Sequence, residues 1–296
     1  MSAVDLHAVR DLYPWKGRYL DVGGGIRMHY LDEGSGEPLL VLHGNPTWSF
    51  SFRRFVERFA PKHRVVVPDH VGCGLSDKPG DEAYAYTLAR RVDDVERLVE
   101  HLDLRDVTLV AHDWGGMIGL AWALRNFDRV RRFVLLNTAG FGLPEDKRLP
   151  WQIAIVRRLR GSSLLVQGLN AFLRGALLTC TTRGLGRRER LGYLAPYGSY
   201  RERIAIQRFV EDIPLAPSDR SWAIVDEVSR NLGRLAERPV LIGWGRKDFV
   251  FDDAFLAEWK RRLPSARYVE FADAGHWVHE DAGDRLFDEI GGFLGA

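Results

Sequence analysis

Apolar residues recur along this chain in two rhythms, and the switching between them sets out an architecture. Short β-branched or leucine-rich runs at 38–42, 64–68, 107–111, 133–136 and 239–244 have the length and continuity of buried strands, and 268–271 reads as a further strand. Residues 26–31 instead alternate apolar with polar after Gly23-Gly24-Gly25, the pattern of an edge strand. Between these runs the spacing becomes helical, at 50–60, at 88–102 (Leu88, Val92, Val95, Leu98, Val99, Leu102), at 117–126 and at 287–294. Strands alternating with helices predict an α/β protein whose mostly parallel central sheet carries helices on both faces. The rhythm stops at about Gly140. From 141 to 212 the pattern is helical with no buried strand, and the proline-rich Ile213-Pro-Leu-Ala-Pro217 closes it before the alternation resumes. The expected organisation is a core of residues 1–139 and 216–296 with an inserted helical cap, 140–215.

Composition narrows the functional classes. A chain of 296 residues, 46% hydrophobic, buries one large core and suits one α/β domain with an insertion. Its net charge of +2 gives no reason to expect a nucleic-acid partner. That charge is unevenly spread: residues 141–220 hold fourteen Lys or Arg against seven Asp or Glu, about +7, which leaves about −5 elsewhere. A solvated outer face accounts for such basicity. So does a surface that docks an acidic partner or membrane-associated substrate, with Arg157, Arg158 and Arg160 beside Trp151, Ile153 and Ile155. Two cysteines, Cys73 and Cys180, supply neither a disulfide framework nor metal-ligand spacing. The glycines form no phosphate loop or dinucleotide fingerprint, so no metal and no cofactor are expected. Residues 1–10 carry Asp5 and no apolar run, so no signal peptide is expected. No segment approaches the ~18 consecutive apolar residues of a membrane helix, and a cytoplasmic location is the expectation.

The chemistry centres on His112-Asp113-Trp114-Gly115-Gly116, which joins the run at 107–111 to the helix that follows. A strand, a sharp turn and a helix with small residues around the tip form a nucleophile elbow, the arrangement of α/β-hydrolases. Its usual pattern is G-x-S-x-G. Here the tip is Asp113, a carboxylate, where the bland reading would be a helix N-cap. A carboxylate attacking carbon forms an ester to the protein and expels a leaving group. Gly275-His276-Trp277 follows the last strand and offers an imidazole where this fold places its base. Asp248, in Gly245-Arg-Lys-Asp248 after the run at 239–244, is the natural orienter of His276; Asp252 and Asp253 lie beyond that loop. Asn45, in His43-Gly44-Asn45-Pro46, and the indole N–H of Trp114 are neutral donors flanking the tip, suited to cradle a leaving anion.

HGNPTW at 43–48, AHDWGG at 111–116, GRKD at 245–248 and AGHW at 274–277 together resemble the haloalkane dehalogenase family. In one subfamily of those enzymes the acid is a Glu after the strand that follows the elbow helix. Leu136-Asn137-Thr138 occupies that place here without an acid. Asp248 and an Asn–Trp pair instead resemble the third subfamily. Within it, VGCGLSDKP at 71–79, LPWQIA at 149–154, LAPY at 194–197 and RFVEDIPLAP at 208–217 are similar to the cis-β-lactone decarboxylases of bacterial long-chain olefin biosynthesis. That resemblance implies a hydrophobic substrate and neighbouring enzymes in an olefin-forming assembly.

Both activities use the same residues. A dehalogenase would have Asp113 displace halide and His276 activate water against the resulting ester. A β-lactone decarboxylase would have Asp113 open the strained ring and release carbon dioxide and an alkene, with Asn45 and Trp114 holding a carboxylate-like oxygen. An epoxide hydrolase would also use Asp113, with Tyr193, Tyr197 or Tyr200 as acid, although that family usually has Phe where Asn45 stands. A catalytically retired ligand receptor is the reading from a different class, and the intact Asp113, Asp248 and His276 argue against it.

Overall fold

A computed structural model of the chain describes residues 6–145, 147–159 and 161–295; Arg160 lies outside them. Eight strands form one sheet: β1 (Arg18–Asp21), β2 (Arg27–Glu33), β3 (Pro38–Leu42), β4 (Arg64–Pro68), β5 (Val107–His112), β6 (Val130–Leu136), β7 (Val240–Gly245) and β8 (Arg267–Phe271). Their spatial order is β1-β2-β4-β3-β5-β6-β7-β8. β2 runs antiparallel to β1 and β4, and the strands from β4 through β8 pair in parallel. β5, the sheet's middle, is buried at every position, as a parallel strand covered on both faces must be.

Helices cover both faces. On one side α2 (Leu88–His101), α3 (Trp114–Arg125), α8 (Trp222–Asn231) and α9 (Asp253–Arg262) contribute Val95, Ile118, Val228 and Trp259 to a cluster with Leu40, Leu109 and Phe133. On the other, α1 (Arg53–Phe59), α10 (Val278–Asp281) and α11 (Asp284–Leu294) contribute Phe55, Val278 and Phe287 to a cluster with Val41, Val110 and Leu241. Burial of these alternating strand faces is the main force holding the sheet in register. Thr87 and Asp252 cap α2 and α9 by accepting from the Arg90 and Ala254 amides.

The parallel register aligns strand ends that are remote in sequence. Leu42 pairs with Ala111, His112 with Leu136, Leu136 with Gly243 and Gly245 with Phe271. The loops after β3, β5, β6, β7 and β8 therefore emerge on one edge, where open α/β sheets bind ligands. Between β6 and β7, ahead of α8, run four further helices, α4 (Trp151–Arg158), α5 (Ala171–Thr179), α6 (Arg187–Leu194) and α7 (Ile204–Glu211), with a π-helical turn at Leu164–Gly168 and no strand among the described residues. No helix among the described residues is long and apolar enough to cross a membrane.

Candidate active site

At the end of β5 the backbone turns through Asp113 at φ 53° and ψ −126°, and α3 starts at the next residue. A positive φ is costly for a side-chain-bearing residue and is held only when the surroundings fix it. Three contacts fix it here. The Asp113 amide donates to Asn137 O (3.3 Å), Thr138 Oγ1 donates to Asp113 O (2.5 Å), and the Asp113 carboxylate accepts from the Asn45 amide (2.6 Å). The turn needs glycine beside it: a Cβ on Gly115 would overlap the Leu42 carbonyl. Asp113 does not cap the helix with its side chain. It presents a buried carboxylate to a cavity instead.

The loop after β8 brings His276 to this carboxylate, and the loop after β7 brings Asp248 behind His276. His276 Nδ1 lies 2.8 Å from Asp248 Oδ2, and His276 Nε2 lies 3.7 Å from Asp113 Oδ2. Because a carboxylate oxygen accepts, Nδ1 carries the hydrogen and Nε2 faces Asp113. Asp248 is held in turn: Asn137 Nδ2 donates to its Oδ2 (2.9 Å) and the Val250 amide to its Oδ1 (2.7 Å). Asn137 Oδ1 also accepts from the Gly245 amide (2.8 Å), tying the end of β6 to the end of β7. Asp252 and Asp253 are engaged elsewhere, with Lys147 and Arg246.

Electrostatics separate His276 from the histidines around it. Burial disfavours its cation, but Asp248 and Asp113 outweigh burial and leave its pKa raised. His112, 4.7 Å away between ring centroids, is driven well below its usual range by burial, and His279 is pushed down by burial to about 3. Those two rings stay neutral and pack behind the site, with His112 Nε2 donating to the His276 carbonyl (2.9 Å). Burial raises the Asp113 pKa against the opposing pull of His276 and the Trp114 and Asn45 amides.

Above the carboxylate lies a cavity of about 520 Å³, lined by Asn45, Asp113, Trp114 and His276 from the sheet edge and by apolar side chains of the helical segment. Trp114 packs on Phe209 of α7 with centroids 5.4 Å apart, and the buried Arg91 guanidinium covers Phe209 at 3.7 Å. Asn45 contributes in a way its side chain did not suggest: its backbone amide contacts Asp113, while Nδ2 donates to Ile206 O at 3.2 Å. The tyrosines do not enter. Tyr193 donates to Glu280 and Tyr197 to Thr47 O, Tyr200 lies exposed, and none of the three lines the cavity, so the epoxide-hydrolase reading lacks its acid.

Sequence reasoning overlooked Asn137 and Thr138. Their position at the carboxyl end of a central strand was the available signal, but attention went to the acid missing there. Arg157, expected to face a docking partner, turns inward to Ile213 O and Asp219.

Residues 37–283 match the alpha/beta hydrolase fold family. The chain is 45% identical over 285 residues to the cis-3-alkyl-4-alkyloxetan-2-one decarboxylase of Shewanella oneidensis, covering 96% of this chain and 89% of that one. It is 44% identical over 290 residues to the protein of the same name from Xanthomonas campestris pv. campestris, covering 95% and 97%. Haloalkane dehalogenase 2 of Mycobacterium tuberculosis is 32% identical over 297 residues, 96% of each chain. Among solved structures, haloalkane dehalogenase DatA from Agrobacterium tumefaciens C58 superposes with a TM-score of 0.82 at 27% identity, covering 93% of this chain and 95% of that one. Fold, elbow and relatives agree: the chain belongs to the alpha/beta hydrolase fold family, in the group that holds the haloalkane dehalogenases and the cis-3-alkyl-4-alkyloxetan-2-one decarboxylases.

Proposed function

We propose that this protein converts cis-β-lactones bearing two long alkyl chains into cis-alkenes and carbon dioxide, with Asp113 as nucleophile, His276 and Asp248 as its partners, and Asn45 and Trp114 as the anion cradle. In this reading residues 140–215 act as the cap over a core of 1–139 and 216–296 and shape the substrate's pocket. The observation that carries it is a buried carboxylate on a nucleophile elbow facing an apolar cavity, in a chain 45% identical to a decarboxylase of that substrate class.

The chemistry balances without a cofactor. One Asp113 oxygen attacks the saturated, alkyl-bearing ring carbon next to the ring oxygen, and the bond between those two atoms breaks, leaving an alkyl ester on Asp113 and a free carboxylate on the neighbouring carbon. Asn45 and Trp114 stabilise this carboxylate as neutral donors. The bond from the carboxylate to its carbon then breaks, its electron pair forms the alkene, and the Asp113–alkyl bond releases its pair to regenerate the Asp113 carboxylate. Inversion in the first step and anti elimination in the second retain the cis relationship. His276, held by Asp248, stabilises the departing carboxylate as imidazolium.

The alternative is haloalkane hydrolysis through the same ester, favoured by a relative of that name at 32% identity. A cytoplasmic location fits an intracellular supply of lactone, and association with the enzymes that supply it is tested by co-purification. The deciding experiment gives the enzyme a cis-3,4-dialkyl-β-lactone and a 1-haloalkane of matching chain length in parallel. Alkene and carbon dioxide from the lactone are expected. Halide and alcohol from the haloalkane, with the lactone untouched, would replace this reading with the alternative.

A further inference from the structure

The rim of the cavity is the least solvent-adapted part of the surface. Eight of the eleven strongly exposed large apolar side chains among the described residues fall between 143 and 178: Leu143, Trp151, Ile155, Leu159, Leu164, Leu165, Leu169 and Leu178. Single exposed apolar residues are ordinary, but a concentration of this kind marks an interaction surface. Leu143, Trp151, Ile155 and Leu165 line the cavity as well, so the patch surrounds its mouth. Leu164, Leu169 and Leu178 do not line it, and yet they stand 70%, 67% and 69% exposed.

Charge on the same stretch has one sign. Residues 147–188 contain nine Lys or Arg and no Asp or Glu. On α4 the spacing i, i+4, i+7 puts Trp151, Ile155 and Arg158 on one face, and on α5 the spacing i, i+3, i+4, i+7 does the same for Ala171, Arg174, Gly175 and Leu178. Arg148, Arg158 and Arg174 are exposed and make no ion pair among the described residues, whereas Arg157 and Arg208 pair with Asp219 and Asp81. Leucine and tryptophan with free arginines around them suit an anionic, apolar-cored surface.

We propose that this face docks on an anionic lipid bilayer, so that the cavity mouth opens into the acyl boundary and takes its apolar substrate directly from the membrane. A protein seated here would plug the mouth, and a second copy would set two basic faces against each other. The inference rests on the proposed function only for the apolar nature of the substrate. Vesicle binding is read without turnover, so the two can fail separately.

The test is co-sedimentation with phosphatidylcholine vesicles, with and without phosphatidylglycerol, at low and high salt. The wild type should pellet with the anionic vesicles at low salt, with a blue shift of tryptophan fluorescence, and be released by high salt. A Leu164→Glu/Leu169→Glu/Leu178→Glu variant should partition at least about tenfold less. Its circular dichroism and its turnover of a short, water-soluble substrate should be unchanged. Arg158→Glu/Arg174→Glu should abolish the preference for anionic lipid. Wild type left in the supernatant at low salt, or a triple-leucine variant that pellets like wild type, would overturn the proposal. So would a wild-type dimer in sedimentation velocity that the leucine variant lacks, because the face would then belong to a second copy.

Discussion

His276 Nε2 stands 3.7 Å from Asp113 Oδ2, beyond a hydrogen bond yet within strong electrostatic reach in a buried site. The gap gives the imidazole opposite duties in the two reactions. Water attack on an Asp113 ester needs the neutral ring as base, whereas release of the Asp113 carboxylate after decarboxylation gains from the cation. Because the His276 pKa is raised, the cation persists to higher pH than for an ordinary histidine. For the lactone, kcat should hold while Asp113 is ionised and His276 is charged, and fall as pH rises through the His276 pKa, by up to about tenfold per unit. For a haloalkane it should rise over the same range. In heavy-oxygen water the haloalkane should label Asp113 and the lactone should not, as mass spectrometry of the Asp113 peptide would show. A lactone profile rising with pH, or a label from the lactone, contradicts the mechanism.

Asn137 positions the pair from behind. Its amide donates to Asp248 and accepts from Gly245, so Asn137→Ala removes one of the hydrogen bonds that hold Asp248, takes that acceptor from the Gly245 amide, and lets Asp248 turn from His276. The expected loss in kcat is about ten- to a hundred-fold with little change in KM. The lactone pH limb should also move down, since His276 loses part of the Coulombic hold that raises its pKa. A reduced kcat with an unmoved limb would make Asn137 merely structural.

Much of this arrangement is legible in the chain because register converts sequence position into geometry. Asp113, Asp248 and His276 each follow the end of a parallel strand. The two strands before Asp113 and Asp248, buried throughout, read as near-continuous apolar runs, whereas the strand before His276 is a half-exposed edge strand interrupted by Glu270. β1 escaped because Arg18–Asp21 is largely exposed and pairs with one neighbour, leaving no apolar pattern to see. The start of α3 at Trp114 rather than Met117 was hidden by Gly115 and Gly116, which are poor helix formers. The Asn45 amide that holds Asp113 is a backbone donor, which every residue but proline possesses, so no side-chain pattern could announce it. The inward turn of Arg157 depends on Asp219, which is remote in sequence.

Burial raises the Asp113 pKa, so the ionised carboxylate costs stability in the native state. That cost is absent below the unfolded-state value of about 3.9 and complete above the native-state value. Asp113→Asn should therefore raise Tm by a few degrees at neutral pH, about 2–4 °C per kcal/mol recovered. The gain should shrink as pH approaches 4, while turnover is lost by orders of magnitude at every pH (about a thousandfold or more). A thermal shift series across pH checks the sign: a Tm gain that grows on acidification would mean that the native site stabilises the anion.

Gly44 leaves room for the Asp113 carboxylate, the proposed nucleophile. An ideal Cβ built on it would overlap the Cβ, Cγ and Oδ1 of Asp113, although its backbone is not in the positive-φ region and would accept alanine. The effect of Gly44→Ala must therefore come from displacing the carboxylate. Activity should fall at least about a hundredfold, because a shift near 1 Å is enough to ruin attack geometry. Overpacking should cost about 1–3 kcal/mol of stability. Gly233→Ala, whose new methyl would meet nothing within 4 Å, serves as the control and should leave activity intact. Asp113→Gly removes all three clashing atoms, so in that background Gly44→Ala should cost almost nothing in denaturant unfolding. The two substitutions should therefore couple by about 0.5–3 kcal/mol. Additive losses would show that Gly44 is needed for the path of its own loop, and that the Asp113 carboxylate is free to move without it.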